Sequence, residues 1–156
     1  MNGHSACQLA TAFSLGLMAG ACGPYRGTQV YHVPQGYVGW VEIKYGDSTC
    51  PPLPVEGDLA VRRVPPSGIL CTSTPLRRGW GSNHYYEVGS SKVEIPTSGA
   101  PTDRRIWSPM SGEMSSNAGT YLTEAFFVGT WQQHEAKMNE LGRLQHDDEE
   151  RGSAEK

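Results

Sequence analysis

From Gly36 to Gly46 the chain reads GYVGWVEIKYG. Taken two residues at a time, Tyr37, Gly39, Val41, Ile43 and Tyr45 share one face, and Val38, Trp40, Glu42 and Lys44 share the other. Successive side chains of a strand point to opposite sides, so this pattern predicts a half-buried β-strand with the odd numbers inward. Gly39 leaves a gap in that face, which either admits a large neighbour or marks a bulge. Trp40 either packs beneath a loop or stands exposed as a binding aromatic.

Similar short patterns follow along the chain. QVYHVP offers a strand through Val30 and Val33, closed by a turn at Pro34-Gln35-Gly36. Gly46-Asp47-Ser48 turns the chain into CPPLP, which is extended because proline fixes its own φ and restricts its predecessor. Leu59, Val61 and Arg63 alternate with Ala60, Arg62 and Val64, and Pro65-Pro66-Ser67-Gly68 returns the chain into Ile69 to Thr72. HYYEVG and KVEIP flank a hairpin turn at Gly89-Ser90-Ser91, and AFFVG ends the series at Gly129. With 19 Gly, 11 Pro and no long helical periodicity, this predicts a mainly β fold, a small antiparallel sandwich or partial barrel. Residues 100–120, mixed in Ser, Pro and Gly, read as a long irregular excursion. Thr130 and Gln133 form a capping box opening one C-terminal helix, whose thin apolar stripe of Trp131, Met138 and Leu141 predicts packing only at its start. The charged end, HDDEERGSAEK, predicts disorder. The expected organisation is a signal segment over 1–21, a linker over 22–29, one β-domain over 30–129, a helix over 130–145 and a tail over 146–156.

The N-terminus reads as an address. Leu9 to Ala21 is uncharged and rich in small residues, and its thirteen residues span roughly 20 Å as a helix, short of a bilayer core of ~30 Å. A signal-peptide core of that length is ordinary. Ala19, Gly20 and Ala21 lead directly into Cys22, which resembles the lipobox of bacterial lipoproteins. That resemblance implies a diacylglyceryl group on Cys22, loss of Cys7 with the signal, and a bacterial cell-envelope location, held to the membrane by lipid. Ala19 stands where such signals carry Leu, and no Lys or Arg precedes the apolar run, so a cleaved secretory signal without lipid and an untargeted N-terminus stay as alternatives.

Charge and chemistry narrow the function classes. The 13 Lys and Arg against 16 Asp and Glu give −3, which argues against nucleic acid as a partner. The pairs Arg62-Arg63, Arg77-Arg78 and Arg104-Arg105 are too scattered in sequence to define a patch. Cys50 and Cys71 remain once Cys22 is set aside. Outside the cytoplasm such a pair usually joins, closing a loop of about 22 residues worth roughly 3 kcal/mol; separate buried thiols are the alternative. No metal-ligand spacing or cofactor motif occurs, and His32, His84, His134 and His146 lie far apart, so no metal, cofactor or catalytic residue is assigned. RGWGSNHYY is the loop best suited to binding, with Trp80, Asn83, His84 and Tyr85 fit to stack on sugars or peptides. Glu87, Glu94 and Asp103 have no spacing that favours glycoside hydrolysis.

The run from YHVPQGYVGWVEIKYG through PPLPVEGDLAVRRVPPSGILCTSTP and HYYEV to AFFVGT resembles a family of exported bacterial proteins known only as a domain of unknown function. The resemblance covers about Tyr31 to Trp131 and implies location and fold more than activity. The order of strands and Pro-rich links also resembles prealbumin-like modules of the carboxypeptidase regulatory type. The expected function is a cell-envelope lipoprotein with a structural or binding β-domain, whose partners are the membrane through the lipid and a protein or glycan. The alternative is an exported hydrolase with a dispersed active site.

Overall fold

The computed structural model describes residues 25–116 and 119–141. The expected signal segment, Cys22 and the expected tail lie outside the described residues. The strands are β1 (Gln29–Pro34), β2 (Gly39–Tyr45), β3 (Val55–Glu56), β4 (Leu59–Arg63), β5 (Ile69–Thr72), β6 (Asn83–Val88), β7 (Lys92–Glu94), β8 (Arg105–Ser116) and β9 (Gly119–Gly129). One helix, α1 (131–141), follows. The strands form two sheets, ordered β3-β4-β1-β6-β7 and β5-β2-β9-β8.

Both sheets supply one core. Tyr31 and Val33 of β1 and Tyr85 of β6 meet Val41, Ile43 and Tyr45 of β2 and Phe126 and Val128 of β9. The alternation in β2 is as expected: Val41, Ile43 and Tyr45 are buried, and Trp40, Glu42 and Lys44 are half-buried on the other face. Tyr31 and Tyr85 stack at 4.6 Å between centroids, and Phe126 meets each of them edge-on from the opposite sheet.

The sheets are mixed rather than antiparallel. β1 pairs in parallel with both β4 and β6, and β2 with β5. The links from β1 to β2, β2 to the β3-β4 pair, β4 to β5, and β5 to β6 all cross from one sheet to the other. β3, antiparallel to β4, keeps the direction of β2, and the β3-β4 hairpin supplies the reversal there. The other crossings each reverse the chain, so β1, β4 and β6 run the same way, as do β2 and β5. The turn at Pro65 to Gly68 is one such crossing. Gly68 sits there at φ +79°, where a Cβ would lie 2.1 Å from the Tyr37 hydroxyl and 2.5 Å from the Trp40 carbonyl. Only glycine meets both demands.

Residues 105–116 are also a strand rather than an irregular excursion. β8 pairs with β9 over almost its whole length, with one irregularity between Trp107 and Met110. Its outer stretch is exposed on both faces, so no apolar alternation marks it in the sequence. The Pro-rich link is tied down near β5: Cys50 is bonded to Cys71, Thr72 donates from Oγ1 to the Pro51 carbonyl at 2.9 Å, and Leu53 enters the core.

Candidate functional site

A cleft opens at one end of the sandwich, between the sheets. The first described residues build its rim. Tyr25 bridges to Trp80, and the Arg26 amide donates to the Trp80 carbonyl at 3.0 Å. The Arg26 guanidinium then donates from Nε to the Gly79 carbonyl at 3.0 Å and from one terminal nitrogen to Asn83 Oδ1 at 2.6 Å. These bonds hold the loop between β5 and β6 against the start of the chain, and the loop brings Arg77 and Arg78 to the same opening. The main lobe is about 660 Å³ and is lined by Arg26, Arg77, Arg78, Tyr31, Asn83, Tyr85 and Glu124, among others. A second lobe of about 350 Å³ shares Arg26 and Arg77 and adds Gln29, Asp58 and Arg62.

The floor is a buried polar network. The Tyr31 hydroxyl lies 2.7 Å from Gln29 Oε1 and 2.9 Å from Glu124 Oε2, and its one proton is shared between these two acceptors. The Tyr45 hydroxyl donates to the same Glu124 oxygen, and Arg62 Nε, 2.9 Å from the Tyr45 oxygen, lies 4.0 Å from it. Burial, reinforced by the Glu124 carboxylate, raises the Tyr31 and Tyr45 phenols far above their ordinary range, so both stay protonated donors. Glu124 is therefore occupied by Arg62 and two hydroxyls. Two donors are left over: Arg26 Nη1 and Gln29 Nε2 are buried without a partner, and Gln29 is only 2% exposed. Buried donors are normally paired, so this pair marks where an acceptor would be taken up. Arg77 and Arg78 are exposed, with no ion pair to either among the described residues. The arrangement offers one hydrogen-bonded and two exposed guanidiniums to an anionic group.

The residues singled out in the sequence are divided by the alternation of β6. Asn83 and Tyr85 line the cleft. His84 points away from them and sits 3.2 Å from Glu94. Trp80 is 65% exposed on the rim and packs against Tyr25 at 4.4 Å. Sequence reading missed Arg26, Gln29, Tyr31 and Glu124, whose meeting depends on pairings across the chain. Besides Asn83 and Tyr85, the local signal was the Arg77-Arg78 pair. Asp47, Cys50 and Cys71 lie close enough to suggest a metal, but both sulfurs are committed to the disulfide.

A second constellation lies under α1. The capping box forms: the Thr130 amide donates to Gln133 Oε1 at 2.9 Å and the Gln133 amide to Thr130 Oγ1 at 3.4 Å. This places His134 among Trp40, Trp107, Phe127 and Trp131, at 5.3 to 6.0 Å between centroids. Its Nε2 is 3.2 Å from Ser108 Oγ, and Ser108 takes φ +47° at the irregularity in β8. Nδ1 is buried without a partner, so no carboxylate orients the ring. Burial lowers the His134 pKa and favours the neutral ring. The arrangement pins α1 to the sheet.

Residues 26–137 match a family of unknown function, DUF6843. The chain belongs to that family. The matched span runs from Arg26 of the cleft rim into α1, so it takes in both constellations. No curated protein matches the chain. A solved structure, "Putative Lipoprotein from Bacillus anthracis", is similar with a TM-score of 0.56 and 21% identity, covering 68% of this chain and 71% of that one. At that identity the likeness to the DUF6843 chain is one of fold. Among the described residues no helix is long and apolar enough to cross a membrane.

Proposed function

We propose that this DUF6843 protein is an exported bacterial lipoprotein, tethered through Cys22, whose β-domain binds a ligand in the cleft between its sheets. The observation that carries the binding role is the cleft itself, where Arg26, Arg77 and Arg78 converge, one Arg26 nitrogen is buried without a partner, and the adjoining lobe adds the unpartnered Gln29 amide nitrogen. The Cys50–Cys71 disulfide supports export, because such bonds persist outside the reducing cytoplasm. The lipoprotein neighbour of the same fold and the small residues before Cys22 support the tether.

Two measurements test the parts separately. Radiolabelled palmitate should enter the wild-type protein in cells and not Cys22→Ala; equal labelling removes the anchor. A photo-crosslinking residue at position 78 should yield an adduct by intact mass spectrometry, and one at position 93, on the exposed β7, should not. Identical results at both positions would remove the cleft from the argument.

A second reading, an exported hydrolase, is favoured by one observation, the Ser108–His134 contact at a strained backbone position. A fluorophosphonate probe that labels wild type and not Ser108→Ala would support it. No label on either would end it.

A further inference from the structure

We infer that the cleft and the Tyr25–Trp80 pair form a surface for anionic phospholipid headgroups of the membrane that holds the chain. This rests on the tether proposed above and adds the ligand class. Cys22 stands three residues before Tyr25, and three residues reach at most about 10 Å. A lipid on Cys22 therefore brings the Tyr25 face of the domain to the bilayer. That face carries the features such a boundary selects. Tyr25 and Trp80 are 61% and 65% exposed and packed together. Aromatic rings with an apolar body and a polar tip settle at headgroup depth.

Beside the pair, Arg26, Arg77 and Arg78 open on the main lobe. The lobe's carboxylate, Glu124, is held by Arg62, Tyr31 and Tyr45, and Asp58 lies in the second lobe. The rim is thus cationic on a chain whose net charge is −3. A volume of about 660 Å³ accepts a phosphate with its polar alcohol, and the unpartnered Arg26 nitrogen offers a buried donor to its oxygens. A free phosphate would use the same guanidiniums. The exposed aromatic pair and the nearby anchor position favour the headgroup.

The test uses the full chain with Cys22→Ala, so that no attached lipid contributes. Co-sedimentation is measured with vesicles of phosphatidylcholine alone and of phosphatidylcholine mixed with phosphatidylglycerol. The apolar N-terminal run partitions into both, so the readout is the preference between them. The parent should prefer the anionic vesicles, and salt should weaken that preference. Each basic residue at such a surface contributes roughly fivefold, so Arg77→Gln with Arg78→Gln should reduce the preference about 25-fold. Both changes are at exposed loop positions, and an unchanged melting temperature shows that the variant is folded. Equal sedimentation of the parent with the two vesicle types overturns the inference, as does a variant that keeps the full preference. If inorganic pyrophosphate raises the melting temperature while the vesicles show no preference, the ligand is a soluble phosphate and the membrane assignment falls. Palmitate labelling reports the tether independently: a preference for phosphatidylglycerol without label leaves headgroup binding standing and removes only the anchor.

Discussion

Glu124 shows how one side chain can hold a site together. Its Oε2 receives hydroxyls from Tyr31 and Tyr45 and faces buried Arg62. Glu124→Ala leaves that guanidinium in the interior without its anion, and the expected loss is about 3 kcal/mol in urea unfolding. Tyr45→Phe removes one hydroxyl and keeps the ion pair, so its loss should be nearer 1 kcal/mol. His134 gives a prediction in pH. Its aromatic surroundings accept the neutral ring, so its folded pKa lies below the ordinary 6.5. Above that value folded and unfolded chains are both neutral, and nothing is lost. Below it the unfolded chain binds the proton first, and stability falls until the folded pKa is passed. His32 acts in the same direction, through burial first and then nearby Lys92. The urea midpoint should therefore drop as the pH falls through the ordinary histidine value of about 6.5, and His134→Gln should flatten part of that drop. Neither group was legible as a site. Tyr31 and Glu124 are 93 positions apart, and no local pattern signals their meeting.

The elements differ in how far the sequence announces them. β2 was plain, because Val41, Ile43 and Tyr45 alternate against polar neighbours over a buried face. The start of α1 was plain as well, since Thr130 and Gln133 satisfy its first amides locally. Its seat was not: Met138 and Leu141 stay about half exposed, and the anchoring residue is His134. β8 was missed because it gains its order from pairing with β9 and not from burial. The parallel pairings were missed for a related reason. A Pro-Ser-Gly turn states that the chain reverses and leaves open whether it re-enters the same sheet. The cysteine link belongs to this scale. Cys50 and Cys71 are 21 positions apart, and their bond ties the Pro-rich link to β5. Cys71→Ala should cost roughly 3 kcal/mol in denaturant unfolding, while far-ultraviolet dichroism stays that of a β protein.

Over the whole molecule, neighbours in each sheet are drawn from distant parts of the chain. β1 needs β4, about 30 residues later, and β6, about 50 residues later, before it has partners on both sides. Such pairing closes large loops before it gains contacts. With the disulfide intact, stopped-flow refolding should therefore run in milliseconds to seconds rather than microseconds. A microsecond phase carrying the full amplitude would contradict the strand order.

The central place of β1 also has a mechanical side. It is the first strand of the described chain, and it lies between two parallel neighbours, in register with β4 from Val30 to His32 and with β6 from Gln29 to Pro34. A pull applied at the N-terminal end runs along this strand and strains both ladders in shear, so their hydrogen bonds share the load instead of parting one by one. A domain hung from that end would carry tension through the central strand of its five-stranded sheet.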